Sequence, residues 1–425
     1  MTNLDRAVAP PFQSIHHVSL PVIDKIFLDN GIALYAVPEE NCDVVKLELV
    51  FRAGRWYEPK NLVSDITARM LREGTSQKTA REIADFFDFY GSNFHTESGA
   101  ETATVSLHCL SKFLAEQLPL VFEVITESNF PEYELRTVIN NRQQKLAVDL
   151  EKNDVLAYRE LVQAVWGSEH PYGRVARTQD FEALTSEELK SFARSHYHAA
   201  NCFILLAGKF RPSLLSYINN IFGQKNWLGT PVIPNGFSVV GTPEKDIHIE
   251  KSESVQSAIQ AGNISLNKKH PDFIPLMVAN TIFGGYFGSR LMSNLREDKG
   301  YTYGVYSSIV SYPHGSFLNI SAEVGKEFRA SVFCEIEKEI YRMHHQPVHE
   351  EELQTVKNYL SGKILRSIDG AIRFSETLKN LILHEQEVHH IQHLLHKIRH
   401  ISSEDIVHIS RQYLHFEQMY KVSVG

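Results

Sequence analysis

The chain has 425 residues, a length that points to two cores of about 200 residues each rather than one. Its composition is globular, with 43% hydrophobic and 22% charged residues, which excludes a disordered polymer. A formal charge of −8 excludes general binding to nucleic acid or to an anionic membrane surface, since both need a basic face.

No run approaches the roughly 20 apolar residues of a membrane helix. The polar start, Met1 to Arg6 followed by Pro10 and Pro11, lacks the apolar segment of a secretory signal, so a cytoplasmic location is expected. The cysteines stand far apart, at 42, 109, 202 and 334. None forms Cys-x-x-Cys, which argues against a disulfide framework and against a cysteine zinc site.

In chain order, residues 17–36 alternate around Asp29-Asn30-Gly31, a hairpin turn signal. Val44 to Phe51 reads as a strand. Asn61 to Arg72 reads as a helix stopped by Gly74. Thr79 and Glu82 form a capping box before a helix whose Ile83, Phe86, Phe87 and Tyr90 share one face. Ala103, Val105 and Leu107 alternate with polar residues, as in a half-buried strand. Two helical stretches follow, 111–128 and 132–166. A second capping box sits at Thr185 and Glu188, and Cys202 to Leu206 reads as a buried strand.

Residues 225–245 change character, with Pro231, Pro234, Gly236, Gly241 and Pro243 and little helical pattern. They divide the chain into residues 1–225, a linker at 226–245 and residues 246–425. Beyond the linker the order repeats: a strand near 255–265, helices at 271–283 and 288–298, strands at 302–311 and 315–323, long helices, a helix near 403–414 and a final strand. Adjacent hairpin strands mixed with long helices favour an α+β fold over a doubly wound parallel sheet.

Several segments are similar to the pitrilysin/insulinase family of metallopeptidases, especially its short bacterial members and the mitochondrial processing peptidase subunits. They are Gly54 to Glu58, Met70-Leu-Arg-Glu-Gly74-Thr75, His170-Pro-Tyr-Gly-Arg174 with Leu184 and Tyr197, and Ser289-Arg-Leu with Leu295, Arg296 and Tyr303. They run in family order from about residue 25 to the C-terminus. The resemblance implies two homologous α+β domains, each a sheet of about six strands backed by helices. Two such chains would face each other as a clamshell.

The family's inverted zincin motif, His-x-x-Glu-His, sets two imidazoles one helical turn apart and a general base between them. A Glu from a later helix completes its metal site. Counting back from Gly74-Thr75, the two His positions are Asp65 and Arg69 here, the base is Ala68, and the later Glu falls within one or two residues of Gln143-Gln144. A guanidinium cannot ligate, Ala68 cannot move a proton, and Asp65 alone offers one carboxylate. No metal is expected in this chain, and Asp65 with Arg69 is expected as an i,i+4 ion pair. By the resemblance, Arg296 and Tyr303 reach the zinc site of a facing half, the Arg fixing the peptide backbone and the Tyr steadying the oxyanion. Gly300 is expected to turn the chain from helix into the Tyr303 strand.

Other His-rich features carry a plainer reading. His384-Glu-Gln-Glu387-Val388-His389 nearly spells a zincin motif, but a five-residue step turns about 140° around a helix, so its two His diverge. His389, His393, His396 and His400 share a face best read as solvated helix surface. Phe283 to Gly288 lacks the Lys-Ser/Thr of a phosphate loop.

The expected function is a non-catalytic subunit of a heterodimeric zinc metallopeptidase. It binds peptide and supplies Arg296 and Tyr303 to the zinc site of a homologous partner, and a homodimer is expected where that partner is absent. The alternative is a peptide-binding or structural scaffold with no catalytic contribution.

Overall fold

A computed structural model describes residues 18–425. Six strands build the first sheet: β1 (Asp24–Phe27), β2 (Ala33–Pro38), β3 (Val44–Phe51), β4 (Asn93–Ser98), β5 (Ala103–Leu110) and β6 (Cys202–Gly208). Their order is β1-β2-β6-β3-β5-β4, with β2 and β6 parallel and the other neighbours antiparallel. The second sheet holds β7 (Asp246–Ile249), β8 (Gln256–Ile264), β9 (Thr302–Tyr312), β10 (Gly315–Gly325) and β11 (Tyr420–Val424), in the order β7-β11-β8-β10-β9. Its one parallel pair is β7 with β11.

The two orders superimpose if β7 answers β2, β11 answers β6, and β8, β10 and β9 answer β3, β5 and β4. The fold is therefore α+β and internally repeated, but the second sheet has five strands rather than about six. The counterpart of β1 would lie in residues 228–245, which form neither helix nor strand. Pro231, Pro234 and Pro243 remove ladder donors there. The backbone instead bonds to the end of a helix, Val240 N–H to Trp166 O and Thr242 N–H to Ala164 O.

The 132–166 stretch is two helices, Glu132–Leu150 and Asn153–Trp166. Lys152 is extended between them (φ −83°, ψ 128°). The Asn153 amide donates to Ser254 Oγ at 3.1 Å and to Gln256 O at 3.0 Å, which ties the second helix to the second sheet. Leu161, Val165 and Trp166 then cover Ala258, Phe317, Val422 and Val424. The debt is reciprocal. Phe374, Leu378 and Leu381 of the Ala371–Leu383 helix cover Val37, Val50, Leu205 and Ala207 on the outer face of the first sheet.

The centre of each sheet is thus covered on both faces, with one layer lent by the other half. A charged cluster seals the first junction: buried Lys46 and Glu48 on β3 meet Glu376 and Lys379 of the lent helix. Lys46 Nζ lies 2.9 Å from Glu48, Lys379 Nζ 2.8 Å from Glu48, and Lys46 also bonds Glu376.

Candidate functional site

The Val63–Met70 helix packs beside β4 and starts from Leu62 in the left-handed region (φ 72°). Gly54 lets the preceding segment press on the turn after β4, because a Cβ there would meet the Glu101 carbonyl carbon at 2.3 Å. Arg55 N–H and Trp56 N–H bond Gly99 O and Ala100 O at 3.0 and 2.8 Å. This fixes Arg55 and Glu58 at the mouth of a cavity of about 390 Å³.

Asp65 faces that cavity and is held by two guanidiniums. Arg69 Nε lies 3.0 Å from Oδ1, as the i,i+4 spacing implied, and Arg142 Nη2 lies 3.1 Å from Oδ2. Ala68 is buried. The residue of the long helix that meets Asp65 is therefore Arg142, inside the stretch around Gln143 and Gln144 to which counting assigned it. Gln144 is exposed, and the Gln143 amide points to Thr178 O at 3.5 Å. Two residues on a helix turn about 200°, so Gln144 faces away when Arg142 and Leu146 face in.

This donor set does not fit zinc. Its carboxylate is already engaged by two cations, and neither cation can ligate. Among the described residues no group of three or more His, Cys, Asp or Glu side chains is placed to hold a metal.

Around Asp65 the low dielectric shows in the titrating groups. Burial pushes Glu58 up to about 7, against the Ser64 N–H it accepts at 3.1 Å and the nearby Arg55 and Arg174. Burial likewise pushes Glu101 up to about 7, although it accepts the Tyr172 hydroxyl. His170 stacks on Trp166 with ring centres 4.9 Å apart; burial, with Arg174 nearby, takes it down to about 4. The His170–Arg174 segment therefore builds the wall with a neutral imidazole and an aromatic cluster. Glu58, Arg142 and Arg159 are the cavity residues that sequence reasoning gave no role. Arg142 was signalled only by its helical phase.

Arg296 and Tyr303 lie in the second half. Gly300, at φ +65°, turns the chain out of the Met292–Asp298 segment, a π-helix, into β9. The ladder shifts between Ala322 and Val324, so β9 carries an extra residue at Tyr303-Gly304. Thr302 Oγ1 clamps this bulge, accepting from Gly304 N–H at 3.1 Å and donating to Glu323 O at 2.6 Å.

Without the bulge, Tyr303 would share the inward face of Val305. With it, Tyr303 joins Tyr306 on the open face and is 90% exposed. Both line a cavity of about 350 Å³ with Asp154, Gln256, Gln260 and Glu323. The Arg296 guanidinium sits 4.6 Å over the exposed Phe287 ring. Tyr312, at the far end of β9, lines the Asp65 cavity instead. Nine strand residues separate it from Tyr303 by about 30 Å. The structure thus brings Asp65 and Arg69 together and leaves Tyr303 in a separate place.

Comparison with known proteins agrees with this repeat. Residues 35–177 match the model described as Insulinase (Peptidase family M16), and residues 183–360 match Peptidase M16 inactive domain. The chain belongs to the M16 family. The "Uncharacterized zinc protease YmxG" of Bacillus subtilis (strain 168) is 24% identical over 329 residues, covering 76% of this chain and 78% of that one. The "Non-peptidase homolog YmxG" of Helicobacter pylori is 22% identical over 332 residues, 74% of each chain.

A crystal structure of a peptidase M16 inactive domain from Pseudomonas fluorescens superimposes with a TM-score of 0.86 at 23% identity, covering 95% of this chain and 98% of that one. The M16 fold thus carries two stations here, an ion-paired carboxylate beside β4 and an exposed tyrosine on β9. No helix among the described residues is long and apolar enough to cross a membrane.

Proposed function

We propose that this chain is a non-catalytic M16 subunit that binds an extended peptide and lends Arg296 and Tyr303 to the zinc site of a homologous partner. The observation that carries the reading is the bulge at Tyr303-Gly304, which spends a ladder position to put a tyrosine hydroxyl in the open. An exposed phenol on a rigid edge strand can donate a hydrogen bond to an oxygen that gains charge as water attacks a carbonyl. Arg296, held over Phe287, keeps its forked donors for a peptide backbone. Arg69 and Arg142 both hold Asp65 and leave a net positive charge at the motif position, which supports hydrolysis being the partner's work.

Peptide binding is supported by β4. Among the described residues it pairs only with β5, and its end, Ser98, borders the Asp65 cavity. Such an edge takes an extended peptide through backbone hydrogen bonds. The test is reconstitution with a homologous chain bearing an intact His-x-x-Glu-His. The purified chain alone should cleave no peptide, and the mixture should. Full turnover by a mixture in which both Arg296 and Tyr303 are replaced, with the complex intact, would instead establish a scaffold.

A further inference from the structure

The cavity beside Asp65 has too many cations for its own carboxylates. Arg55, Arg142, Arg159 and Arg174 line it, against Glu58 and Asp65. Only Arg142 has a carboxylate within ion-pair distance; Arg55, Arg159 and Arg174 have none among the described residues. Each of those three spends a donor on a backbone carbonyl: Arg55 on Arg174 O, Arg159 on Ala176 O and Arg174 on Glu169 O. Arg142 Nε and Arg174 Nη1 are buried and have no hydrogen-bond partner among the described residues, as is true of the acceptors Glu58 Oε1 and Asp65 Oδ2, the latter only ion-paired to Arg142. A buried guanidinium N–H without an acceptor is costly, and a chain with a net charge of −8 has no general surplus of cations to place. The convergence is local.

We propose that this cavity is an anion pocket that receives a carboxylate of the peptide bound along β4. The proposal rests on the peptide-binding reading above and gives that site its ligand chemistry. Planar guanidinium forks match a carboxylate with two parallel donors. The Ser98-Gly99-Ala100 turn that ends β4 lines the same cavity, so a strand added to β4 runs straight to the arginines. A peptide parallel to β4 brings its C-terminal carboxylate there, and an antiparallel one brings an acidic side chain near its start. In either direction the pocket fixes register, which backbone pairing alone leaves free. Asp65 is then an internal stand-in for the ligand, holding Arg69 and Arg142 until a peptide carboxylate competes for them.

The test uses the whole chain and three alanine-rich dodecapeptides, each labelled at its N-terminus with an uncharged boron-dipyrromethene fluorophore. One has a free C-terminal carboxylate, one a C-terminal amide, and one an amide with a single Glu near its start. Fluorescence anisotropy should show a carboxylate-bearing peptide binding about tenfold more tightly than the plain amide, with the gap closing as salt rises. Which of the two acidic peptides gains identifies the source of the carboxylate.

Arg142→Gln and Arg159→Gln should each erase the gap while keeping the affinity for the plain amide. Asp65→Asn should widen the gap, because the internal competitor is weakened. Two substitutions on different helices keep the test usable if one of them unfolds. Equal binding of all three peptides overturns the anion pocket and leaves peptide binding standing. Binding of none overturns both.

Discussion

In the first half the carboxylate at the motif is closed off from within: Arg69 and Arg142 reach it from two helices, and Ala68 beside it is buried. In the second half a bulge turns Tyr303 outward, and its cavity is rimmed by Gln256, Gln260 and Glu323 with no cation at the phenol. At the first station the motif's own carboxylate already has its cations; at the second the phenol stands in the open. The contrast teaches that the two halves of the repeat have diverged: at one station the polar atoms find partners inside the fold, and at the other the hydroxyl is presented to the open.

Both stations depend on the halves staying docked, so the largest effect is expected at the junction. Glu48→Ala leaves buried Lys46 and Lys379 to share the half-exposed Glu376 alone and should cost about 3 kcal/mol in denaturant unfolding. If the loss is below about 1 kcal/mol, the lent helix is not held by that cluster.

Next comes Glu58. Its pKa in the fold, about 7, stands above the unfolded value of 4.5. A raised carboxyl contributes stability that is present in full below pH 4.5 and is lost as pH rises through 7. Charging it in the fold therefore costs up to about 3 kcal/mol. Glu58→Gln should raise the melting temperature at pH 8 and change it little at pH 4.5. Glu101 titrates in the same window with the same sign, so part of the slope should remain. Arg55, Arg174 and Asp65 are the charges that face Glu58, and equal melting shifts at both pH values would show that they, not burial, set its protonation.

Tyr303→Phe sharpens the comparison from the other side. It removes one hydroxyl from a residue that is 90% exposed, so stability should change by less than about 0.5 kcal/mol. In the reconstituted pair, kcat should fall by about 10–100-fold at unchanged subunit affinity. Unchanged turnover would remove Tyr303 from the proposed chemistry.

The fold was legible where local chemistry and periodicity agree. The Asp29-Asn30-Gly31 turn, the capping boxes at Thr79 and Thr185, and the alternation through Ala103, Val105 and Leu107 all appear where their residues imply. The break at Lys152 was not legible. It is made by Asn153 bonding to Ser254 and Gln256, about a hundred residues on, and Glu151-Lys152 carries no helix-breaking side chain. Nor was Arg142 itself: counting positions placed the facing residue within one or two residues of Gln143-Gln144, whereas helical phase relative to buried Leu135 and half-buried Leu146 decides which side chain points inward. The bulge at Tyr303 is set by Thr302 and the facing Glu323, a cross-strand relation that no local pattern contains.

Asp65→Asn carries the smallest effect and the most discriminating one. The amide oxygen still accepts from one guanidinium, but the charge that holds Arg69 and Arg142 together is gone. Both arginines are partly solvated, with side chains 37% and 27% exposed, so water recovers much of the loss and about 1 kcal/mol of stability should go. Turnover by the reconstituted pair, measured with a neutral amidated peptide, should stay within twofold of the parent. The pattern then crosses that of Tyr303→Phe, one substitution moving stability and sparing turnover, the other the reverse. A mixture that lost activity on Asp65→Asn would put the first half's carboxylate into the reaction, and the contrast between the two halves would fall with it.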